Sequence, residues 1–312
     1  MLPAALLWPF VAAIATAPTT TPPKIASQTL PNGLTVLVVE SHGSPLVTVE
    51  IAAKNGSMTE PPEYNGLSHL YEHMFFKANA AYPSQEAWMA RMHELGAEWN
   101  GTTSTERVNY FFTTTSDHTS GLMEFMHAAI VTPKFDPKEL DRERVVVTGE
   151  MDRNEAGPYY HLFHDIEQKV FYKYPSRKLP LGNRKTVLAA TVAQMQTIQH
   201  RYYVPNNSVL VISGDVKADE IFAQAKTLYA DWKLADDPFK KFPLVTHPAL
   251  TKSEVLVIEQ PTVQNLTGSF SGTGRRPSGR ACRTPTRRTC SRPCSRSRRR
   301  SSRRRSSIAA RA

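Results

Sequence analysis

The chain has 312 residues and a formal net charge of +10, but its basic residues are unevenly distributed. Residues 269–312 hold fifteen arginines and no acidic residue. The remaining 23 basic residues face 28 acidic ones, so residues 1–268 carry a net charge of about −5. The overall charge is therefore no argument for nucleic-acid binding, and nucleic acid is not an expected partner. The length suffices for one large domain or two ordinary ones with a sizeable core.

The N-terminus has a pattern typical of a secretory signal peptide. Residues 2–17 are apolar and rich in small side chains, and the run is too short to span a membrane as a helix. A small-x-small motif predicts cleavage after Ala15, so that residues 1–15 are the signal peptide and residues 16–27 a linker rich in Thr and Pro. We therefore expect export, to the bacterial periplasm or the cell exterior, and no membrane span in the mature chain.

Periodicity along the rest of the chain predicts short strands mixed with helices. The predicted strands are 34–39, 46–52, 97–105, 107–115, 208–213 and 253–259. Two predicted helices begin near Gly66 and near Pro83. Five others cover 122–131, 136–154, 157–172, 192–203 and 218–232. Strand pairs joined by short turns indicate an α+β fold, a two-layer arrangement of an antiparallel sheet with helices packed on it.

The helix near Gly66 carries the motif His69-x-x-Glu72-His73. Residues four apart lie one turn apart on the same helix face, so both imidazoles can meet one metal ion. The carboxylate at the third position lies beside them without having to be a ligand, and this order is that of the inverted zinc-protease motif. A solvated helix face that carries these residues by chance is the alternative at this point.

A second long helix, predicted to start with Asp136 as its cap and Pro137 as its first residue, offers further carboxylates. Glu143 and Glu150 are seven residues apart, about two turns, and therefore share one face. Val146 and Val147 lie between them and indicate that this face is partly buried, where carboxylates are costly without a compensating cation. A surface helix with scattered Glu residues is the alternative. A zinc site for hydrolysis needs three protein ligands and one open position.

Taken together, these motifs resemble the M16 family, the pitrilysin or insulinase-like zinc metallopeptidases that include the mitochondrial processing peptidases. The resemblance rests on the segment 66–77 and on Glu143-Arg144 to Glu150, with 76 residues between His73 and Glu150. It covers about residues 28–260. The resemblance implies a LuxS/MPP-like metallohydrolase half as the fold and a zinc-dependent endopeptidase as the function.

The resemblance also implies a role for each motif residue. His69, His73 and Glu150 would hold one Zn²⁺ per chain. Glu72 would be the general base that activates water, and Glu143 would support the catalytic site from behind the ligands.

A further segment, 96–103, resembles the family's edge strand, which pairs with the substrate backbone. Its implied substrate-binding residues are Asn100, Gly101, Thr102 and Thr103, and the implied substrate is a peptide or an unfolded protein. The family usually has Ala where Gly101 stands.

Family members build their active unit from two similar domains or subunits. We assign residues 28–240 to an M16-like catalytic domain and residues 246–271 to the start of a truncated second one. Residues 272–312 form an Arg/Ser-rich tail that we expect to be disordered, either the product of a reading-frame shift or a genuine tail that binds anionic partners. A non-catalytic or incomplete subunit of a two-chain peptidase therefore stays open as the alternative function.

Overall fold

The computed structural model describes residues 25–259 of the chain. Six strands form one sheet: β1 Ile25–Thr29, β2 Thr35–Glu40, β3 Leu46–Ala53, β4 Glu98–Thr103, β5 Val108–Thr115 and β6 Ser208–Gly214. Their order across the sheet is β1-β2-β6-β3-β5-β4. Alternate side chains of β2, β3 and β6 are buried and the others are partly exposed, as expected of a sheet that helices cover on one face.

The helices of the described residues lie between β3 and β4, between β5 and β6, and after β6. Their bounds are α1 Leu67–Phe75, α2 Gln85–Glu94, α3 Thr119–Val131, α4 Pro137–Glu155, α5 Tyr160–Val170, α6 Arg184–Leu188, α7 Val192–Tyr202, α8 Ala218–Leu228 and α9 Pro238–Lys241. The predicted α+β class is confirmed. One pairing differs from the expected antiparallel sheet, because β2 and β6 are parallel. These two strands lie far apart in sequence, and the helices between them provide the long crossover that a parallel pair needs.

The motif helix α1 is held in place by its apolar face. Leu67, Leu70 and Met74 are fully buried. Tyr71 and Phe75 are buried beside them, and Phe75 stacks on Tyr110 with ring centroids 3.6 Å apart. Each such side chain contributes roughly 1.5–3 kcal/mol on burial. This packing fixes the rotation of α1 about its axis, so the positions that do not face the core are directed towards α4.

The start of α1 is fixed by a buried carboxylate. Glu60 accepts hydrogen bonds from the backbone N–H groups of Gly66, at 2.8 Å, and Ser68, at 2.7 Å. Gly66 has a φ of +94°, and a Cβ there would lie 2.9 Å from the Cα of Gly182. Only glycine permits both this backbone conformation and this close approach, which joins the start of α1 to the segment before α6.

The long helix α4 begins with the predicted cap. The side chain of Asp136 accepts hydrogen bonds from the N–H groups of Lys138 and Glu139, and Pro137 occupies the first helical position. Leu140, Val147 and Met151 are buried. They hold the helix against the rest of the domain, which turns the face with Glu143 and Glu150 towards α1.

Several expectations from the sequence differ from the structure or lie outside it. Strand β1 begins at Ile25, inside the stretch predicted as linker. Residues 253–259 form no strand, and Val255 is 91% exposed. The predicted signal peptide and the tail 272–312 lie outside the described residues and stay predictions. Within residues 25–259, no helix is both long enough and apolar enough to cross a membrane.

Candidate metal centre

Side chains from α1 and α4 converge on one point between the two helices. Nε2 of His69 and Nε2 of His73 are 3.4 Å apart, and Oε2 of Glu150 lies 3.5 Å from the first and 3.7 Å from the second. Ligand bonds of 2.0–2.2 Å in tetrahedral geometry place ligand atoms about 3.3–3.6 Å apart. The three atoms therefore fit a zinc ion, and they form the one such group found in residues 25–259.

The His69 ring is in the charge state that a ligand needs. Burial, together with a smaller effect of the neighbouring His73, lowers its pKa to about 4. The two rings meet edge to face, with their centroids 4.8 Å apart. A neutral imidazole offers a nitrogen lone pair to a metal, so His69 needs no deprotonation at neutral pH before it can bind one.

The second histidine is oriented by two side chains on the side away from the metal-ligand group. We call the chain of contacts His73–Glu143–Lys77 the relay. Nδ1 of His73 donates to Oε2 of Glu143 at 2.9 Å, and Nζ of Lys77 lies 2.6 Å from Oε1 of the same carboxylate. Burial alone would raise the pKa of Glu143, but the bonds from His73 and Lys77 bring it below its usual value. An ionised Glu143 keeps the proton of His73 on Nδ1 and leaves Nε2 free for a metal.

Sequence reasoning included Glu143 in this arrangement but missed Lys77. The available signal was its spacing, because Lys77 follows His73 by four residues, the separation of neighbours on a helix face; in the structure α1 ends at Phe75 and Lys77 lies in the turn that follows. Val146, which the sequence pattern places on a partly buried face, is 45% exposed, while Val147 is fully buried. The buried and exposed sides of α4 therefore meet between these two valines.

The third motif residue, Glu72, lines the same cleft as the ligands and contacts β4. Its Oε2 accepts a hydrogen bond from the hydroxyl of Thr103. Burial raises the pKa of Glu72, and the bond from Thr103 acts in the opposite direction. Its carboxylate also lies against Gly101, where an added Cβ would come within 2.9 Å of Oε1. Glu72 thus lies between the metal-ligand group and the strand.

Within the described part of the chain, β4 is the last strand of the sheet and pairs only with β5. Of the predicted substrate-binding residues, Asn100 and Gly101 line the cleft at the site, and Thr103 contacts Glu72. The hydroxyl of Thr102 instead donates to Oδ1 of Asn109 on β5 at 2.5 Å. No second strand of the described residues pairs with the outer edge of β4, although the N–H of Gly101 donates to Oδ1 of Asn100 at 2.8 Å.

An open cleft of about 480 Å³ lies over these residues. Beside the metal-ligand group it has an apolar wall of Phe76, Trp88, Met89 and Trp99. The sequence pattern indicates that Trp88 and Trp99 are packing residues. They do pack, with ring centroids 5.0 Å apart; the half-buried Trp99 borders the cleft, and the fully buried Trp88 lies behind its wall.

Two family models match this chain. Residues 35–181, which include all the residues of the site, match the family model of insulinase, peptidase family M16. Residues 189–277 match the model of the peptidase M16 inactive domain. The chain belongs to peptidase family M16.

Individual relatives are similar over most of this chain but are longer proteins. Bovine insulin-degrading enzyme is 27% identical over 70% of this chain and 22% of its own length. An uncharacterised zinc protease of Bacillus subtilis, YmxG, is 28% identical over 62% of this chain and 47% of its own. A protease structure from Helicobacter pylori aligns with a TM-score of 0.64 and 25% identity over 69% of this chain and 52% of that one. The chain thus spans less than half the length of these two curated relatives.

Proposed function

We propose that this chain is the catalytic half of a zinc-dependent endopeptidase. The observation that carries the proposal is the convergence of His69, His73 and Glu150 within ligand distance of one point, with Glu72 beside them and not among them. Three protein ligands with one position left open are typical of catalytic zinc sites, whereas structural sites are closed by four.

In this proposal, each residue has one chemical task. Bound zinc would supply Lewis acidity and make water a stronger acid. Glu72 takes the proton from the attacking water and later gives it to the leaving amine, since a carboxylate of raised pKa can do both near neutral pH. Glu143 keeps the His73 ring in its tautomer and orientation, and Lys77 keeps Glu143 ionised.

The proposed substrate is a peptide or an unfolded protein that adds to β4 as a further strand. The free edge of β4 supports this, because backbone hydrogen bonds bind an extended chain with little regard to its sequence. The apolar wall beside the ligand group would receive a side chain near the cleaved bond.

The apolar segment 1–15 supports the further proposal that the protein is exported, which cell fractionation tests.

A second, non-catalytic function is favoured by two observations. Residues 189–277 match a family model described as inactive, and the chain spans less than half of its curated relatives. In this alternative the chain is an incomplete subunit that needs a second M16-like domain or partner chain. The complete set of motif residues at the site supports the catalytic proposal more strongly.

Zinc analysis combined with peptide hydrolysis tests the two candidates. The full chain should bind one zinc ion and cleave an unstructured peptide, and a chelator should stop the cleavage. Glu72→Gln should keep the zinc and abolish hydrolysis. Glu94→Gln, which alters an exposed carboxylate on α2, is the control and should retain activity. Appreciable cleavage by Glu72→Gln would remove Glu72 as the base, and a zinc-loaded but inactive wild type would favour the non-catalytic subunit.

A further inference from the structure

The carboxylate of Glu72 has a single hydrogen-bond donor among the described side chains, the hydroxyl of Thr103. Glu72 is buried, with 8% of its surface exposed, so water cannot readily take the place of this bond. A hydrogen bond to a charged group inside a protein is stronger than one between neutral groups. Thr103 is therefore well placed to decide where the Glu72 side chain rests.

The same strand makes room for the carboxylate. A Cβ at Gly101 would lie 2.9 Å from Oε1, 3.0 Å from Cγ and 3.1 Å from Cδ of Glu72. These separations are below ordinary contact distance, so the side chain of Glu72 lies directly on the backbone of β4. Gly101 and Thr103 are two residues apart and thus face the same side of the strand.

We propose that Thr103 is a positioning residue for Glu72, holding the general base against the strand to which the substrate adds. This inference rests on the proposed function. The hydroxyl donates to Oε2, so Oε1 is left as the oxygen that accepts the proton from water and returns it to the leaving amine. The proton of Thr103 stays on its own oxygen throughout. Glu72 and the bound peptide then both contact β4. The position of the peptide along β4 therefore fixes the distance between the peptide and the carboxylate that activates water.

A role in peptide binding through the Thr103 side chain is the competing explanation, and it predicts a different kinetic effect. A positioning residue acts on the chemical step, so its loss lowers kcat and leaves KM nearly unchanged. A binding residue acts on peptide affinity even when the base is absent. The two explanations therefore separate in a Glu72→Gln background, where the peptide binds but is not cleaved.

The test compares Thr103→Val with Thr103→Ser in the full chain. Val keeps the branched shape that suits a strand and removes the hydroxyl, whereas Ser restores it. We expect Val to lower kcat about 10- to 100-fold with KM within about twofold, as is common when an orienting partner is lost. Ser should recover most of the rate, and zinc content should be unchanged in both variants. Thr48→Val is the control, since it removes a hydroxyl that pairs with Thr113 on the same sheet at 2.8 Å.

Two further measurements keep the inference testable apart from hydrolysis. Crystal structures of the wild type and Thr103→Val should show the Glu72 carboxylate on β4 in the first and displaced in the second. That comparison holds even if the wild type proves inactive, which would refute the proposed function alone. An unmoved Glu72, or a Thr103→Val change that weakens peptide binding in the Glu72→Gln background and spares kcat, would overturn the positioning role.

Discussion

Replacing Lys77 with Met tests the relay behind the zinc ligands. The Lys77 and Glu143 side chains are 14% and 8% exposed, so water cannot readily take the place of the lost ammonium group. Glu143 keeps its bond from His73 but has one buried oxygen without a partner, which costs about 1–3 kcal/mol of folding free energy. Since Lys77 also helps to lower the pKa of Glu143, its removal raises that pKa and weakens the acceptor for Nδ1 of His73.

The expected effect on metal binding follows from the effect on His73. Loss of an orienting partner behind a ligand typically costs 10- to 100-fold in metal affinity. Lys77→Met acts one step further out, so we expect about a tenfold loss of zinc affinity, and Glu143→Gln should lose more. Competition with a chromophoric chelator measures the affinity, and denaturant unfolding of the metal-free protein measures the stability.

Lys138→Met is the matched control, because this lysine is exposed near the start of α4. It should leave zinc affinity and unfolding free energy unchanged within error. If Lys77→Met binds zinc as the wild type does and unfolds at the same denaturant concentration, the relay does not operate as described. If Glu143→Gln also has no effect, the orientation of His73 depends on packing alone.

Two other predictions concern the third ligand and the start of α1. Glu150→Ala should lower zinc content to near zero while the protein stays folded, and full occupancy by metal analysis would show that Glu150 is not a ligand. Burial raises the pKa of Glu60 to about 7, so its contribution to stability is fully present below pH ~4.5 and is lost as pH rises through about 7. Between pH 5 and 8 the wild type should therefore lose about 2.5 kcal/mol of unfolding free energy relative to Glu60→Gln. Parallel pH profiles would contradict this.

Local spacing was enough to predict the parts of the site that one helix holds. His69 and His73 are four residues apart, and any helix through them places both imidazoles on one face. Glu143 and Glu150 follow the same rule on their own helix. The cap at Asp136 likewise predicted where α4 begins, because it depends on bonds between neighbouring residues.

The link between these two helices is not a matter of local spacing. The 76 residues between His73 and Glu150 are compatible with many arrangements, and only the resemblance to the family suggested that the two meet. In the structure the buried faces of α1 and α4 bring them within 3.7 Å. The parallel pairing of β2 with β6 was missed for a similar reason, since neither strand carries a signal for its distant neighbour.

What the sequence by itself determined is the set of chemical groups and their order on each helix and strand, because turn geometry and side-chain alternation are properties of short segments. Only the tertiary structure decided which groups touch. It placed Lys77 on Glu143 and Thr103 on Glu72, and it left β4 as the sheet edge beside the base. These contacts depend on how helices and strands pack, and packing is set by the whole core and not by any one motif.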